Sequence, residues 1–233
     1  MTHHIAGGSV KTFESIVATS TGIPLAPFNR IFVCVRGNRD QLHDALQWMR
    51  ERDDPFRVTV RDETTEWMTG VASDYGLKKG NSQPGMVLKD LEPIGESTHD
   101  LEITSVRGPA GLDQYVTVFS AVFDVSHELA SRAHPEGYIE DDRIELILGA
   151  IDGEPVACGT LCITTGVAGV YSVGVLEEFR RRGFGQAMTK AVLTRGRKAG
   201  CRIGALQSSK AGYPLYQRLG FETVDTYHHF DPV

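Results

Sequence analysis

The stretch GVYSVGVLEEFRRRGFGQAMTKAVLTRGRKAG, residues 169–200, decides how the rest of the chain is read. Its opening carries the β-branched residues Val170, Val173 and Val175 and reads as a strand. Its second half sets Phe184, Ala187, Met188, Ala191 and Val192 at i, i+3, i+4, i+7 and i+8, one apolar stripe of an amphipathic helix. Between them lies RRRGFG, residues 180–185, a basic, glycine-bearing turn at a helix N-terminus. Such a turn points unpaired backbone N–H groups outward, where the helix dipole favours negative charge. The glycines let the main chain approach a phosphate with no Cβ in the way. These residues therefore read as a diphosphate cradle. A merely solvated surface turn has similar composition, and the order strand, basic glycine turn, helix is what separates the two. No G-x-x-x-x-G-K-[ST] occurs for a nucleoside triphosphate, and no G-x-G-x-x-G follows a strand for a dinucleotide.

Composition narrows the remaining classes. A chain of 233 residues with 41% hydrophobic and 23% charged residues can bury a core in one large or two small domains. The net charge of −6 argues against a nucleic-acid partner, and three consecutive arginines are too few to reverse that. Cys34, Cys158, Cys162 and Cys201 show neither C-x-x-C nor paired histidine spacing, so they read as small core residues in a reducing compartment. Apolar runs are too short to span a bilayer, and the first residues lack a signal-peptide core. A cytoplasmic protein without membrane or metal partners is expected.

Residues 1–25 read as a flexible leader. They hold His3-His4, with no third metal ligand at a supportive spacing, and a short helix through Phe13, Ile16 and Val17. Residues 29–35 read as a strand, and Asp40 as the N-cap of a helix through Leu42, Ala45, Leu46 and Met49. A strand at 56–60, a helix at 64–75 and a short strand at 86–88 follow. The polar run EPIGESTHD, residues 92–100, reads as a boundary, giving an α/β domain over 26–95 and a second over 96–233. The second opens with a strand at 101–106 and a helix at 111–124, and Ser126 caps a further helical segment. Strands at 145–151 and 156–164 are joined at Asp152-Gly153, a hairpin signal. Beyond residue 200 come a strand at 203–207, a short helix at 213–219 and a last strand from Phe221.

Two motifs in the second domain carry a resemblance. The first is R-x-x-G-x-G between strand and helix. The second is QSSKAGYPLYQRLGF, residues 207–221, in which Pro214 suits a first helical turn and Gly220 the position just past a helix end. Together with the element order over residues 101–230, they resemble the GNAT superfamily of N-acetyltransferases. The resemblance implies an α/β fold with a mixed sheet and acetyl-CoA as cosubstrate, without a metal. It implies that backbone N–H groups of Arg181, Arg182, Gly183, Phe184, Gly185 and Gln186 hold the diphosphate, with Arg180 opening the motif. Main-chain groups of Val173 and Val175 would pair with the pantetheine arm. Tyr216 would be the general acid for the departing thiolate, and Ser209 lies on the loop beside the cofactor. Tyr216 packed as an ordinary buried tyrosine and Ser209 as a turn residue are the competing structural readings.

The implied reaction is direct attack of a primary amine on the thioester. The acceptor, a small molecule or a peptide or protein amine, is not readable, and a monomer and a homodimer are both compatible with the chain. Where many members place a strand glutamate, this chain has Tyr171, Ser172 and Val173, so no carboxylate stands out as the base. That departure keeps a second reading open, a non-catalytic acyl-CoA sensor. A longer acyl donor is a third. Finally, the order of elements over residues 29–91 echoes that over 170–230. The first half resembles a degenerate GNAT copy, an unrelated α/β extension being the alternative. Its turn RGNRD, residues 36–40, lacks the R-x-x-G-x-G spacing, so only the second half is expected to bind acetyl-CoA.

Overall fold

Ile16, Ala18 and Ser20 are buried while Val17 and Thr19 between them are half-buried, the period-two signature of a strand against a core. They lie on β2 (Ile16–Ser20), which forms an antiparallel hairpin with β1 (Ser9–Phe13). The computed structural model describes residues 5, 7–35, 38–95 and 100–233. His3-His4, the Arg36-Gly37 pair and residues 96–99 of the expected boundary lie outside the described residues. The hairpin corrects the expectation of a leader carrying a short helix. Phe13, Ile16 and Val17 fit one helical turn by spacing, but Glu14 takes φ +42° and reverses the chain there. The segment after β2 is also tied down. The buried Asn29 side chain accepts from Thr21 N at 2.8 Å and donates to Ile23 O and Pro55 O at 2.7 and 2.8 Å.

The chain divides into two compact units, residues 1–85 with 223–233, and residues 86–222. In the first, β2 pairs antiparallel with β3 (Arg30–Val33), which runs parallel to β4 (Arg57–Arg61) after the crossover helix α1 (Arg39–Arg50). Helix α2 (Asp62–Val71) leads through a 3₁₀ turn and Gly76, at φ +66°, into β5 (Leu77–Leu88). This strand starts nine residues earlier than the segment expected at 86–88. Lysines and polar residues at 78–83 hide its start from a hydrophobicity reading. Ile31, Val33, Leu42, Leu46, Met49, Val58, Val60, Met68 and Phe230 form the core.

The second unit holds β6 (Glu102–Ser105), β7 (Ile144–Ile151), β8 (Glu154–Thr164) and β9 (Val167–Val175), paired antiparallel in that order. Helix α3 (Gly108–Phe123), α4 (His127–Ala133) and α5 (Gly137–Glu140) connect β6 to β7. Helix α6 (Phe184–Lys198) crosses from β9 to the parallel strand β10 (Ile203–Gln207), and α7 (Tyr213–Arg218) follows. The last strand, β11 (Glu222–Pro232), pairs antiparallel with β4, so all but its first residue counts with the first unit. Each unit thus runs an antiparallel meander, a crossover helix and a parallel return strand. The sheets are mixed and the class is α/β, as read from the sequence.

Close contact with β9 fixes the C-terminal end of α6 on the sheet. A Cβ on Gly196 would stand 2.5 Å from the Cβ of Ala168, an atom that moves only with its backbone. Alanine gains up to ~1 kcal/mol over glycine in a helix, but overpacking of a tight contact costs about 1–3 kcal/mol. Gly196→Ala is therefore expected to lower the urea midpoint. A raised midpoint would mean that the helix slides on the strand without penalty.

Candidate active site

The site is built on an irregularity in β9. Its register with β8 pairs Tyr171 with Thr160 and Gly174 with Cys158, so Ser172 and Val173 both stand opposite Gly159. This is a β-bulge, and Ser172 adopts φ +51° within it. One extra residue re-phases the alternation. Val170 lies in the core under α6, and after the bulge Val173 and Val175 return to that core. Gly174 instead faces α3, where a Cβ would meet Val122 Cγ1 at 2.2 Å. Without the bulge, Ser172 and Gly174 would occupy the core side. The parallel register of β9 with β10 reaches Gly169 opposite Ala205 and stops. Beyond it, the valine-bearing end of β9 continues without that partner.

The chain leaves β9 through a 3₁₀ turn, Glu177–Phe179, in which Glu177 and Glu178 are exposed. Arg180 Nε donates to Val175 O at 3.1 Å, so the motif's first arginine is anchored to the strand end. That carbonyl keeps a second lone pair for another donor. Arg181 takes φ +64° and Gly183 φ +85°, two left-handed steps that swing the backbone into α6. For Gly183 this conformation carries no steric cost. The Arg182 guanidinium lies 5.0 Å from the Phe184 ring centroid and 5.7 Å from that of Phe179, which holds it beside the helix start. No side chain caps α6 and no acidic residue stands in its first turn, whereas Arg195, Arg197 and Lys198 occupy its last. The positive end of the dipole is thus left for an outside anion. Of the six amides expected to hold the diphosphate, that of Gln186 donates to Gly183 O at 3.0 Å. The helix has begun to close its own hydrogen bonds there, so Gln186 drops out of the candidate set. Gly185 is half-buried, and a Cβ on it would meet only Leu215 Cδ2 at an ordinary 3.6 Å. The protein's own packing therefore does not require that glycine.

Tyr216 sits on α7, whose end is closed by a Schellman motif. Phe221 N donates to Tyr216 O at 3.0 Å, Gly220 N donates to Gln217 O at 3.0 Å, and Gly220 takes φ +89°. The hydrophobic contact that accompanies this motif is the Tyr216–Phe221 ring pair, 5.8 Å between centroids at 66°. On its other side the Tyr216 ring lies over Gly212, where a Cβ would stand 2.8 Å from Cε2. The ring is clamped from both sides and half-buried. Burial raises the pKa of the phenol, which favours its protonated form. No hydrogen bond to its hydroxyl is present among the described residues. Ser209 is exposed, and its Oγ accepts from Gly212 N at 3.1 Å. It therefore shapes the loop under Tyr216, with its own proton and one lone pair left for further bonds.

Residues 113–221 match the acetyltransferase (GNAT) family model. The C-terminal unit belongs to the GNAT superfamily. Acyl transfer is the chemistry of that family in general. No curated protein sequence matches the chain. Among solved structures, a GCN5-related N-acetyltransferase from Kribbella flavida is similar at 19% identity with a TM-score of 0.74, covering 97% of this chain and 90% of its own. One from Sphaerobacter thermophilus is similar at 17% identity and TM-score 0.66, over 93% of this chain and 76% of its own. A tandem GNAT protein from the clavulanic acid biosynthesis pathway is similar at 15% identity and TM-score 0.64, over 92% and 77%. These likenesses establish the shared fold over nearly the whole length of the chain.

The corresponding helix start outside the GNAT domain is furnished differently. In α1, the Asn38 side chain caps the helix by accepting from Gln41 N at 2.7 Å, and Asp40 stands in the first turn rather than at the expected N-cap. The Gln41 side chain is itself held by Ser15 and Glu14. A helix start satisfied by its own side chain and flanked by carboxylates repels a diphosphate. Among the described residues, no group of three or more His, Cys, Asp or Glu is arranged to hold a metal, and no described helix is long and apolar enough to cross a membrane.

Sequence reasoning missed the polar groups buried inside the GNAT domain. Tyr115 is fully buried on α3, and its hydroxyl lies 2.7 Å from Thr160 Oγ1. Cys158 Sγ–H donates to Ser172 O at 3.3 Å, and burial pushes that thiol up to about 12. Nothing in their spacing along the chain marks these residues as neighbours. His134, just past the end of α4, is buried among the rings of Phe119, Tyr115 and Tyr138. Its Nδ1–H donates to Ala130 O at 2.8 Å, and burial lowers its pKa to about 4. The unfolded chain therefore binds a proton at His134 that the folded domain refuses. Stability from this residue is complete above pH 6.5 and falls as pH drops toward 4, by on the order of 3 kcal/mol. Urea unfolding across that window is expected to show the loss and to be shallower for His134→Gln. An equal slope in both proteins would remove His134 as the cause.

Proposed function

We propose that the GNAT domain transfers the acetyl group of acetyl-CoA to a primary amine by direct attack of the amine on the thioester. The observation that carries this reading is the uncapped start of α6, entered through Arg181 and Gly183 in left-handed conformations and free of acidic residues in its first turn. A diphosphate fits there because main-chain donors, the helix dipole and the arginines all favour an anion. Acetyl-CoA supplies the activated acyl group. The chain's residues do the rest. Amides of residues 181–185 bind the diphosphate, and the main chain of Val173 and Val175 lines the pantetheine arm as an added strand would. Donors of the β9 main chain near the thioester stabilise the developing oxyanion. Tyr216, kept protonated by burial, gives its proton to the leaving thiolate.

The strand β9 carries no carboxylate, so the ammonium proton of the acceptor leaves through water. The first unit reads as a degenerate GNAT copy that does not bind the cosubstrate. Its repeated element order supports that reading, as does the Asn38-capped helix α1. The likeness to a tandem GNAT protein supports it as well. Calorimetric titration with coenzyme A is expected to give one site per chain, and thiol release from acetyl-CoA is expected with at least one amine in a panel. Binding without turnover on any amine would instead favour the acyl-CoA sensor. Absence of both binding and turnover would remove the reading altogether.

A further inference from the structure

The bulge in β9 places a serine in a backbone conformation that serine disfavours. A non-glycine residue at positive φ costs on the order of 1 kcal/mol and persists only where its surroundings over-determine it. Around Ser172 they do. Its carbonyl accepts from Cys158 Sγ. On the facing strand, Thr160, which pairs with Tyr171 beside the bulge, is bonded through Oγ1 to the Tyr115 hydroxyl on α3 at 2.7 Å. Cys158 and Thr160 are the two β8 residues that flank Gly159, the residue facing the bulge. The bulged segment is thus bonded to Cys158 on one side of Gly159, stands beside the Tyr115-braced Thr160 on the other, and lies on α3 at Gly174.

This grip bears on the proposed acyl transfer, because the bulge alone turns Val173 and Val175 back toward the α6 side of the strand. We infer that Tyr115 is a positioning residue, which holds Ser172 in its left-handed conformation through the Thr160 hydroxyl network and so fixes the main chain at Val173 for acyl transfer. The inference rests on the acetyltransferase reading for its catalytic consequence. Its structural half, that the Tyr115 hydroxyl holds the bulge, stands on the geometry. Tyr115 is buried in the interior, touches no part of the cradle, and is not itself a proton donor to the reaction.

The variant Tyr115→Phe removes one oxygen and keeps the ring. Amide hydrogen exchange at Ser172 and Val173 is expected to quicken about tenfold or more, with exchange at residues 168–170 unchanged. Because a small displacement of a positioned group costs up to about a hundredfold in rate, kcat is expected to fall about ten- to a hundredfold. The coenzyme A Kd should stay within about threefold, since the cradle is untouched. Adding Ser172→Gly, which takes positive φ without strain, is expected to recover part of the lost kcat in the Tyr115→Phe background. Such a rescue does not follow from general loss of packing. Unchanged exchange at residues 172 and 173 overturns the proposal, as does unchanged kcat. A loss of kcat, coenzyme A binding and thermal stability in parallel, without rescue, overturns it too. If the wild-type chain neither binds coenzyme A nor turns over, the acetyltransferase reading falls and takes the positioning role with it. The exchange measurement then still reports whether Tyr115 braces the bulge, so the two failures are distinguishable.

Discussion

Gly183→Val is expected to weaken coenzyme A binding by at least about a hundredfold while leaving a folded protein. Gly183 sits at φ +85°, where a β-branched residue is strained. To relieve that strain the backbone between Arg181 and Phe184 has to rotate, which reorients the amides proposed to hold the diphosphate. A hydrogen bond to a charged group contributes about 1.5–3 kcal/mol, and each 1.4 kcal/mol is about tenfold in affinity. Loss of two such bonds therefore exceeds a hundredfold. Calorimetry with coenzyme A reads the affinity, and circular dichroism with a thermal melt reads the fold. A variant that melts like the wild type and binds coenzyme A equally well would place the cosubstrate somewhere else.

The second large effect is expected at Tyr216. Tyr216→Phe keeps the ring between Phe221 and Gly212, so the Schellman closure of α7 and the packing survive. What is lost is a proton for the departing thiolate, and general acid catalysis is worth about a hundredfold to ten-thousandfold. The expected result is a fall in kcat of at least about a hundredfold, with coenzyme A affinity within about threefold. The pH dependence carries a sign as well. Burial raises the phenol pKa above its ordinary 10.0, so the donor form persists through neutral and mildly alkaline pH. The alkaline limb due to Tyr216 is expected above pH 10 in the wild type and absent from the variant. If Tyr216→Phe costs binding and turnover alike, the tyrosine is a packing residue, and the proton comes from elsewhere.

Both effects concern residues legible in the sequence, and the reason is locality. The cradle at 180–185 and the closure of α7 at 216–221 are each made by hydrogen bonds spanning six residues or fewer. Glycine at a left-handed position, proline in a first turn and a hydrophobic pair across a helix end leave their marks within the motif itself. The same holds for the hairpin at Asp152-Gly153 and for its strands β7 and β8, whose runs of apolar residues are buried on both faces. Where local signals conflicted, the sequence misled. Phe13, Ile16 and Val17 have helical spacing, yet the buried alternation of Ile16, Ala18 and Ser20 makes them parts of a hairpin. The polar first residues of β5 concealed a strand whose backbone pairing does not depend on an apolar face.

The amino-acid sequence by itself determined the α/β class, the order of strands in the C-terminal unit, the basic glycine turn before α6 and the closed end of α7, because each follows from hydrogen bonding and periodicity among near neighbours. Tertiary structure alone decided the rest. That β11 pairs with β4, more than 160 residues earlier in the chain, is a strand pairing that no local pattern encodes. The bulge at Ser172 and the buried bond between Tyr115 and Thr160, 45 residues apart, exist only once α3 packs on the sheet. Their energies come from contacts across the fold, and only the folded chain brings those partners together.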